Sequence, residues 1–203
     1  MTTISAQTHL SPRSMAPTAG DLARDVLVHD ASARRAHLAD LWVDAPRAVI
    51  LTFLRQYGCP LCRDQVATLR DWFASFQAEG VAIAAVGQGT PEDARRFGEQ
   101  LDLPFPVLSD LHRSAYAAYG LPDGTAEQVY GPTPGLKLVS AILRGHRPRR
   151  IVGSVRQLPG TFVIDRNGII RIAHPGLHAA DVPETGSLLP RILEAVPDRE
   201  STP

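Results

Sequence analysis

Residues 48–54 read Ala-Val-Ile-Leu-Thr-Phe-Leu, and residues 59–62 read Cys-Pro-Leu-Cys. The first stretch is short, rich in β-branched and aromatic residues, and apolar throughout except at Thr52. Such a run predicts a strand covered on both faces, as in a sheet packed between helices. The second stretch follows almost at once and holds the chain's two cysteines. Beyond it Val66, Leu69, Phe73 and Phe76 recur at helical spacing, and Gly80 is a natural residue to end that helix. The cysteines therefore fall where a buried strand hands over to a helix.

That placement has chemical consequences. Pro60 takes a first-turn position, where its missing N–H costs nothing. The first turn also leaves N–H groups unpaired and carries the positive end of the helix dipole, and both favour a thiolate. A cysteine there titrates below its usual ~8.5, within roughly 3.5–7.5. Arg55 and Arg63 flank the pair and can push the same way. The i, i+3 spacing brings the sulfurs within disulfide reach. Cys59, nearer solvent, is expected to attack, and Cys62, further into the helix, to resolve.

Other readings of the pair exist. One Cys-x-x-Cys supplies two ligands where zinc takes four, and His174 and His178 are the histidines at suitable spacing. Two thiolates with His174 would suit Cu(I), as in a metal-binding module. A redox sensor would oxidise once and change a partner contact. Inert core cysteines would have no reason to bracket a proline at a helix start.

The totals narrow the function classes. The chain has 203 residues, 44% of them apolar, which favours one domain with tails. Lys plus Arg and Asp plus Glu number 21 each, so no global field selects nucleic acid or an anionic membrane. The local cluster Arg144, Arg147, Arg149, Arg150 reads as a solvated loop. No apolar run approaches the ~18 residues that span a bilayer. The first residues lack a basic region followed by an apolar one, so a cytoplasmic location is expected. A Cys-x-x-Cys in that setting points to catalytic or metal-binding sulfur rather than a structural staple.

The rest of the chain fills in the architecture. Residues 26–29 and 34–38 predict a small hairpin around Asp30-Ala31-Ser32. Residues 81–86 predict a second buried strand. Thr90-Pro91-Glu92-Asp93 is a helix N-terminus, with Thr90 as cap and Pro91 in the first turn, running to about Leu101. A short strand at 105–109 and a short helix at 112–119, ending at Gly120, follow. Residues 121–158 are rich in Gly, Pro and Arg and predict an insertion with one helix at 136–143. Residues 161–165 and 169–173, joined by Arg166-Asn167-Gly168, predict a hairpin. A last helix is expected at 184–195. The expected division is a disordered tail over 1–20, one domain over 21–196 and a tail over 197–203. The fold class is α/β, a three-layer sandwich with a mixed central sheet and helices on both faces.

These residues carry a resemblance. A hairpin, a buried strand, Cys-x-x-Cys at a helix start and the later Leu-Pro-Gly-Thr-Phe-Val-Ile-Asp-Arg-Asn-Gly resemble the thioredoxin fold. The leading hairpin and Val107-Leu108-Ser109-Asp110 resemble the alkyl hydroperoxide reductase/thiol-specific antioxidant branch, the peroxiredoxins and their relatives. Residues 53–63, with an insertion ending in Gly153-Ser154-Val155-Arg156-Gln157-Leu158-Pro159-Gly160, are most similar to its Cys-x-x-Cys subgroup. The departures are specific. Standard peroxiredoxins carry Thr or Ser where this chain has Gln56, Pro where it has Thr52, and Arg where it has Pro159. Thioredoxins carry a buried Asp where it has Phe53.

The resemblance implies a thiol–disulfide redox enzyme without organic or metal cofactor. Cys59, Cys62 and Arg55 are its candidate catalytic residues, with Arg55 standing in for the missing groups. Pro60, Leu158 and Pro159 are candidates for substrate contact. A cis Leu158–Pro159 bond would present backbone groups to a partner's extended chain. Peroxides, lipid hydroperoxides and protein disulfides are the substrates implied, thioredoxin or glutathione the type of reductant, and a homodimer the assembly. Nucleic acid and membrane are not expected partners.

Overall fold

The computed structural model describes residues 15–197. The expected tail over 1–20 falls mostly on residues 1–14, and that over 197–203 mostly on 198–203, both outside the described residues. The chain opens with strands β1, Leu27–His29, and β2, Arg35–His37, paired antiparallel through a turn in which Ala33 takes φ 63°. A short helix α1, Leu38–Val43, follows at once and takes Leu38, the last residue of the expected strand 34–38. Asp40 explains the switch: its carboxylate accepts the His37 backbone N–H and closes a capping box.

Strand β3, Ala48–Phe53, is buried along its whole length. Its side chains alternate between two cores: Ala48 and Ile50 enter one, Val49, Leu51 and Phe53 the other. This is why the run reads as continuously apolar. Phe53 meets Tyr116, Tyr119 and Phe162 at ring-centroid distances of 5.2, 5.0 and 5.9 Å. Helix α2, Pro60–Asp71, leaves the end of this strand. The single helix read through Phe76 is two: the chain breaks at Trp72, and α3, Phe73–Ala78, continues the apolar side to Gly80 at φ 70°. The break sets Phe73 against Phe105, 6.2 Å between centroids.

Strand β4, Val81–Gly87, then α4, Pro91–Gln100, and β5, Val107–Ser109, complete two parallel crossovers. Thr90 caps α4 as expected, with Asp93 reciprocating. Helix α5, Ser114–Ala118, follows. Residues 121–158, where one helix was expected, hold two, α6, Ala126–Tyr130, and α7, Pro132–Leu143. The Gly131-Pro132-Thr133-Pro134 segment, outside the helix expected at 136–143, is the start of α7. Prolines in a first turn forfeit only N–H groups that have no helical partner. Helix α7 packs on α2, and Arg144 closes the contact with a two-pronged ion pair to Asp64 at 2.6 and 2.7 Å.

Strands β6, Gly160–Asp165, and β7, Ile170–Pro175, form the closing hairpin, with Gly168 at φ 77° in its turn. Helix α8, Thr185–Ala195, ends the domain with Glu184 as its cap. The seven strands lie in the order β2-β1-β5-β4-β3-β6-β7, parallel across β3-β4-β5 and antiparallel elsewhere. One core lies under α2, α4 and α8, the other under α1 and α5. The mixed sheet clad by helices on both faces is the α/β thioredoxin-like sandwich. It delivers the end of β3, the end of β4 and the start of β6 to one rim.

Candidate active site

Cys59 is the N-cap of α2, with extended backbone, and Pro60 occupies the first helical position. Cys62 is one turn in. Both are free thiols in this structure, Cys59 6% and Cys62 1% exposed. The Cys59 thiol is lowered to about 6. The largest cause is a hydrogen bond from the Cys62 thiol. The charge of Arg55 and the backbone N–H groups of Cys62 and Leu61 add to it, against the opposing effect of burial. Cys62 is pushed well above its ordinary value, by burial first and then by its bond to Cys59. The two thiols are thus split into one poised to ionise and one that keeps its proton. The helix start supplies the donors, as its sequence predicts.

Arg55 is 5% exposed and its guanidinium is fully directed. Nη1 donates to Cys59 Sγ at 3.3 Å, Nε to the Gln157 carbonyl at 3.0 Å and Nη2 to the Val155 carbonyl at 2.6 Å. A segment a hundred residues away therefore aims the cation at the sulfur. Gln157 is itself buried and fastened. Its Nε2 donates to the Leu121 and Leu158 carbonyls, both at 3.0 Å. Gln88, at the end of β4, grips Ser154 and also donates to the Arg55 carbonyl. Gln88, Gln157 and the carbonyl of Val155 escaped the sequence reading. A lone glutamine and a main-chain oxygen leave no motif.

Gly58 explains how the loop comes so close. Its carbonyl accepts the Arg149 N–H at 3.0 Å. A Cβ on Gly58 would lie 2.7 Å from the Arg149 carbonyl oxygen and closer still to that of Arg150. Only glycine lets the 149–150 backbone rest against the residue before Cys59.

Other expectations divide. Arg63 does not turn to the sulfur: it donates to Gln100 at 3.2 Å and stacks 5.6 Å over Phe97. Leu158 and Pro159 are buried at the start of β6. No described peptide bond is cis, so Leu158–Pro159 is trans and the argument from a cis proline does not apply. Thr52 faces its register partner Thr161, hydroxyl to hydroxyl at 3.2 Å, and accepts from Gln65 at 2.7 Å, which occupies it away from the sulfur. Among the described residues no three His, Cys, Asp or Glu side chains converge on a metal-sized site. His174, the expected third ligand, pairs with Asp181 at 2.9 Å instead. Of the basic cluster read as a solvated loop, Arg144 holds Asp64, while Arg149 and Arg150 line a cleft beside Gly58. Among the described residues no helix is long and apolar enough to cross a membrane.

The thioredoxin-like protein AAED1, chloroplastic, of Arabidopsis thaliana is 30% identical over 122 residues, 60% of this chain and 48% of that protein. The match thus spans about half the length of that relative. The thiol-disulfide oxidoreductase ResA of Geobacillus thermodenitrificans is 26% identical over 153 residues, 75% of this chain and 66% of that protein. Among solved structures, peroxidoxin BcpB of Mycobacterium tuberculosis superposes with a TM-score of 0.65 at 18% identity, covering 87% of this chain and 97% of that one. The family pattern described as the AhpC/TSA family matches residues 19–173. The chain belongs to the AhpC/TSA family, a family of thiol-based oxidoreductases.

Proposed function

We propose that this protein reduces hydroperoxides, with Cys59 as nucleophile, Cys62 as resolving thiol and Arg55 as the group that polarises the O–O bond. The observation that carries this reading is the Arg55 guanidinium held 3.3 Å from Cys59 Sγ by two main-chain carbonyls. The Cys59 thiolate attacks the terminal oxygen of R–O–O–H. An S–O bond forms as the O–O bond breaks, leaving Cys59 as sulfenic acid and releasing an alkoxide that takes a proton from water. Arg55 stands beside that developing negative charge. The Cys62 thiol then attacks the Cys59 sulfur, and the S–S bond replaces S–OH as water leaves. Loss of the Cys59 charge also removes one of the causes that keep Cys62 protonated. Two thiols of a thioredoxin- or glutathione-type reductant return the dithiol and become a disulfide themselves.

The second reading is a disulfide reductase. It is favoured by Gln56 and Pro159 standing where peroxide-binding groups are expected from the resemblance, and by Thr52 being occupied elsewhere. Access argues the other way. With Cys59 6% exposed beneath the 149–157 segment, a slim hydroperoxide group reaches sulfur more readily than an extended chain bearing a disulfide. Stopped-flow loss of thiol, with hydrogen or organic hydroperoxide in one arm and hydroxyethyl disulfide in the other, tests the choice. Faster loss with hydroperoxide is expected. Faster loss with disulfide overturns the reading in favour of the second.

A further inference from the structure

A cleft of about 120 Å³ opens beside Gly58, the residue bonded to Cys59. Three arginines face it without a carboxylate partner among the described residues: Arg63 from the first turns of α2, and Arg149 and Arg150 from the segment resting on Gly58. Arg63 is the telling one. It is 6% exposed, yet its polar contact is a neutral one, to the Gln100 side-chain oxygen at 3.2 Å. A guanidinium taken out of water without a carboxylate is costly. Two features soften that cost: the Phe97 ring beneath it at 5.6 Å, and the open mouth of the cleft. Burial, and after it the charge of Arg149, hold Arg63 below its ordinary value. The remaining charges on the cleft are already engaged. Asp93 accepts from the Thr90 hydroxyl at 2.8 Å in the α4 cap, and Arg96 donates to Glu92 at 2.8 Å. The other walls are apolar: Phe97, the Tyr57 ring stacked 4.9 Å from it, and Val152.

An excess of unpaired arginines with aromatic and aliphatic walls, one residue from the nucleophile, calls for an anion carried on an apolar body. We propose that this cleft binds a carboxylate, and that the substrate brought to Cys59 is the hydroperoxide of an organic acid. This rests on the hydroperoxide reading above. The same cations could take the carboxylate of a glutathione-type reductant. The apolar walls favour the hydroperoxy acid.

The experiment compares two half-reactions and one binding measurement on the full chain. Linoleic acid hydroperoxide and its methyl ester are each mixed with the reduced protein. The acid is expected to react about tenfold faster, the discrimination that one buried charged hydrogen bond provides. In Arg149→Gln and Arg63→Gln the acid-to-ester ratio is expected to fall towards one. Arg149→Gln, on an exposed segment, serves if Arg63→Gln does not fold. Equal rates for acid and ester in the wild type overturn the proposal. So does a result in which the variants slow only re-reduction by glutathione and spare re-reduction by a neutral thiol. Calorimetric titration of the reduced protein with decanoate and decanol separates the cleft from the chemistry. If neither hydroperoxide consumes thiol, the peroxidase reading has failed, and with it the assignment of a hydroperoxy-acid substrate. Decanoate binding that Arg149→Gln weakens would then show the carboxylate site standing alone, and no preference for decanoate over decanol would remove the site too.

Discussion

Gln88 and Ser154 hold each other through two reciprocal hydrogen bonds: the Ser154 N–H donates to Gln88 Oε1 at 2.8 Å, and Gln88 Nε2 donates to the Ser154 carbonyl at 2.9 Å. A side-chain amide thus pairs with main chain much as a strand would, 66 residues apart in sequence. The same Nε2 reaches the Arg55 carbonyl. Gly153, at φ 83°, permits the approach, since a Cβ there would collide with the Gln88 amide. The loop carrying Val155 and Gln157 is therefore tied to β4 just before it supplies the oxygens that aim Arg55.

Removing that tie should loosen the aim. Gln88→Ala leaves part-buried main-chain groups unsatisfied, at a cost of about 1–3 kcal/mol. Urea unfolding should show that loss, and hydrogen exchange should quicken selectively over residues 153–157. Slower thiol loss with hydroperoxide should accompany it. Stability lost without faster exchange in that segment would remove Gln88 from the positioning of Arg55.

Arg55→Ala should raise the Cys59 titration above about 6, because it removes a cation 3.3 Å from Sγ. Thiolate absorbance against pH measures it. Arg55→Lys should recover part of the shift and less of the rate, since an ammonium lacks the planar fork that bonds Gln157, Val155 and Cys59 together. An unaltered titration in Arg55→Ala would place the arginine outside the mechanism.

The hydrogen bond from Cys62 is the largest cause lowering Cys59, so the two obvious variants of Cys62 should differ. Cys62→Ser keeps an O–H donor and should keep Cys59 acidic. Cys62→Ala should let it rise. Both should accumulate sulfenic acid or mixed disulfide at Cys59, read by dimedone labelling and mass spectrometry. Cys59→Ser should fold and lose activity. Reactivity surviving in Cys59→Ser but lost in Cys62→Ser would reverse the roles.

Stability of the reduced protein should follow pH with a definite sign. The folded Cys59 titrates at about 6 against an ordinary value of about 9. Between these pH values the unfolded chain carries the extra proton, so stability rises with pH relative to Cys59→Ser. The contribution is complete above the unfolded value and is lost as pH falls through about 6. Cys62, raised rather than lowered, works against stability only above its unfolded value, outside that window. Urea melts of wild type and Cys59→Ser across the range should diverge upward. Parallel curves would refute a depressed thiol.

Much of this protein was written locally. The buried run 48–54, the Thr90-Pro91 cap, the Asn167-Gly168 turn and Cys59-Pro60-Leu61-Cys62 each act within a few residues, through side-chain burial, main-chain N–H groups or a fixed φ. From them the α/β sandwich, the helix start at Pro60 and the acidity of Cys59 could be read. Helix α6 and the start of α7 were not legible locally, because prolines end a helix in one context and begin one in another. What no local reading could supply was direction. Arg55 and Arg63 are equal neighbours of the cysteines in sequence, yet one is drawn to Sγ by the carbonyls of Val155 and Gln157 and the other settles over Phe97. Likewise Arg149 reads as loop charge until Gly58 lets its backbone lie against the active site. Such outcomes depend on which groups long-range packing brings within hydrogen-bond distance. That is a property of the folded sheet and its loops, and only the tertiary structure decides it.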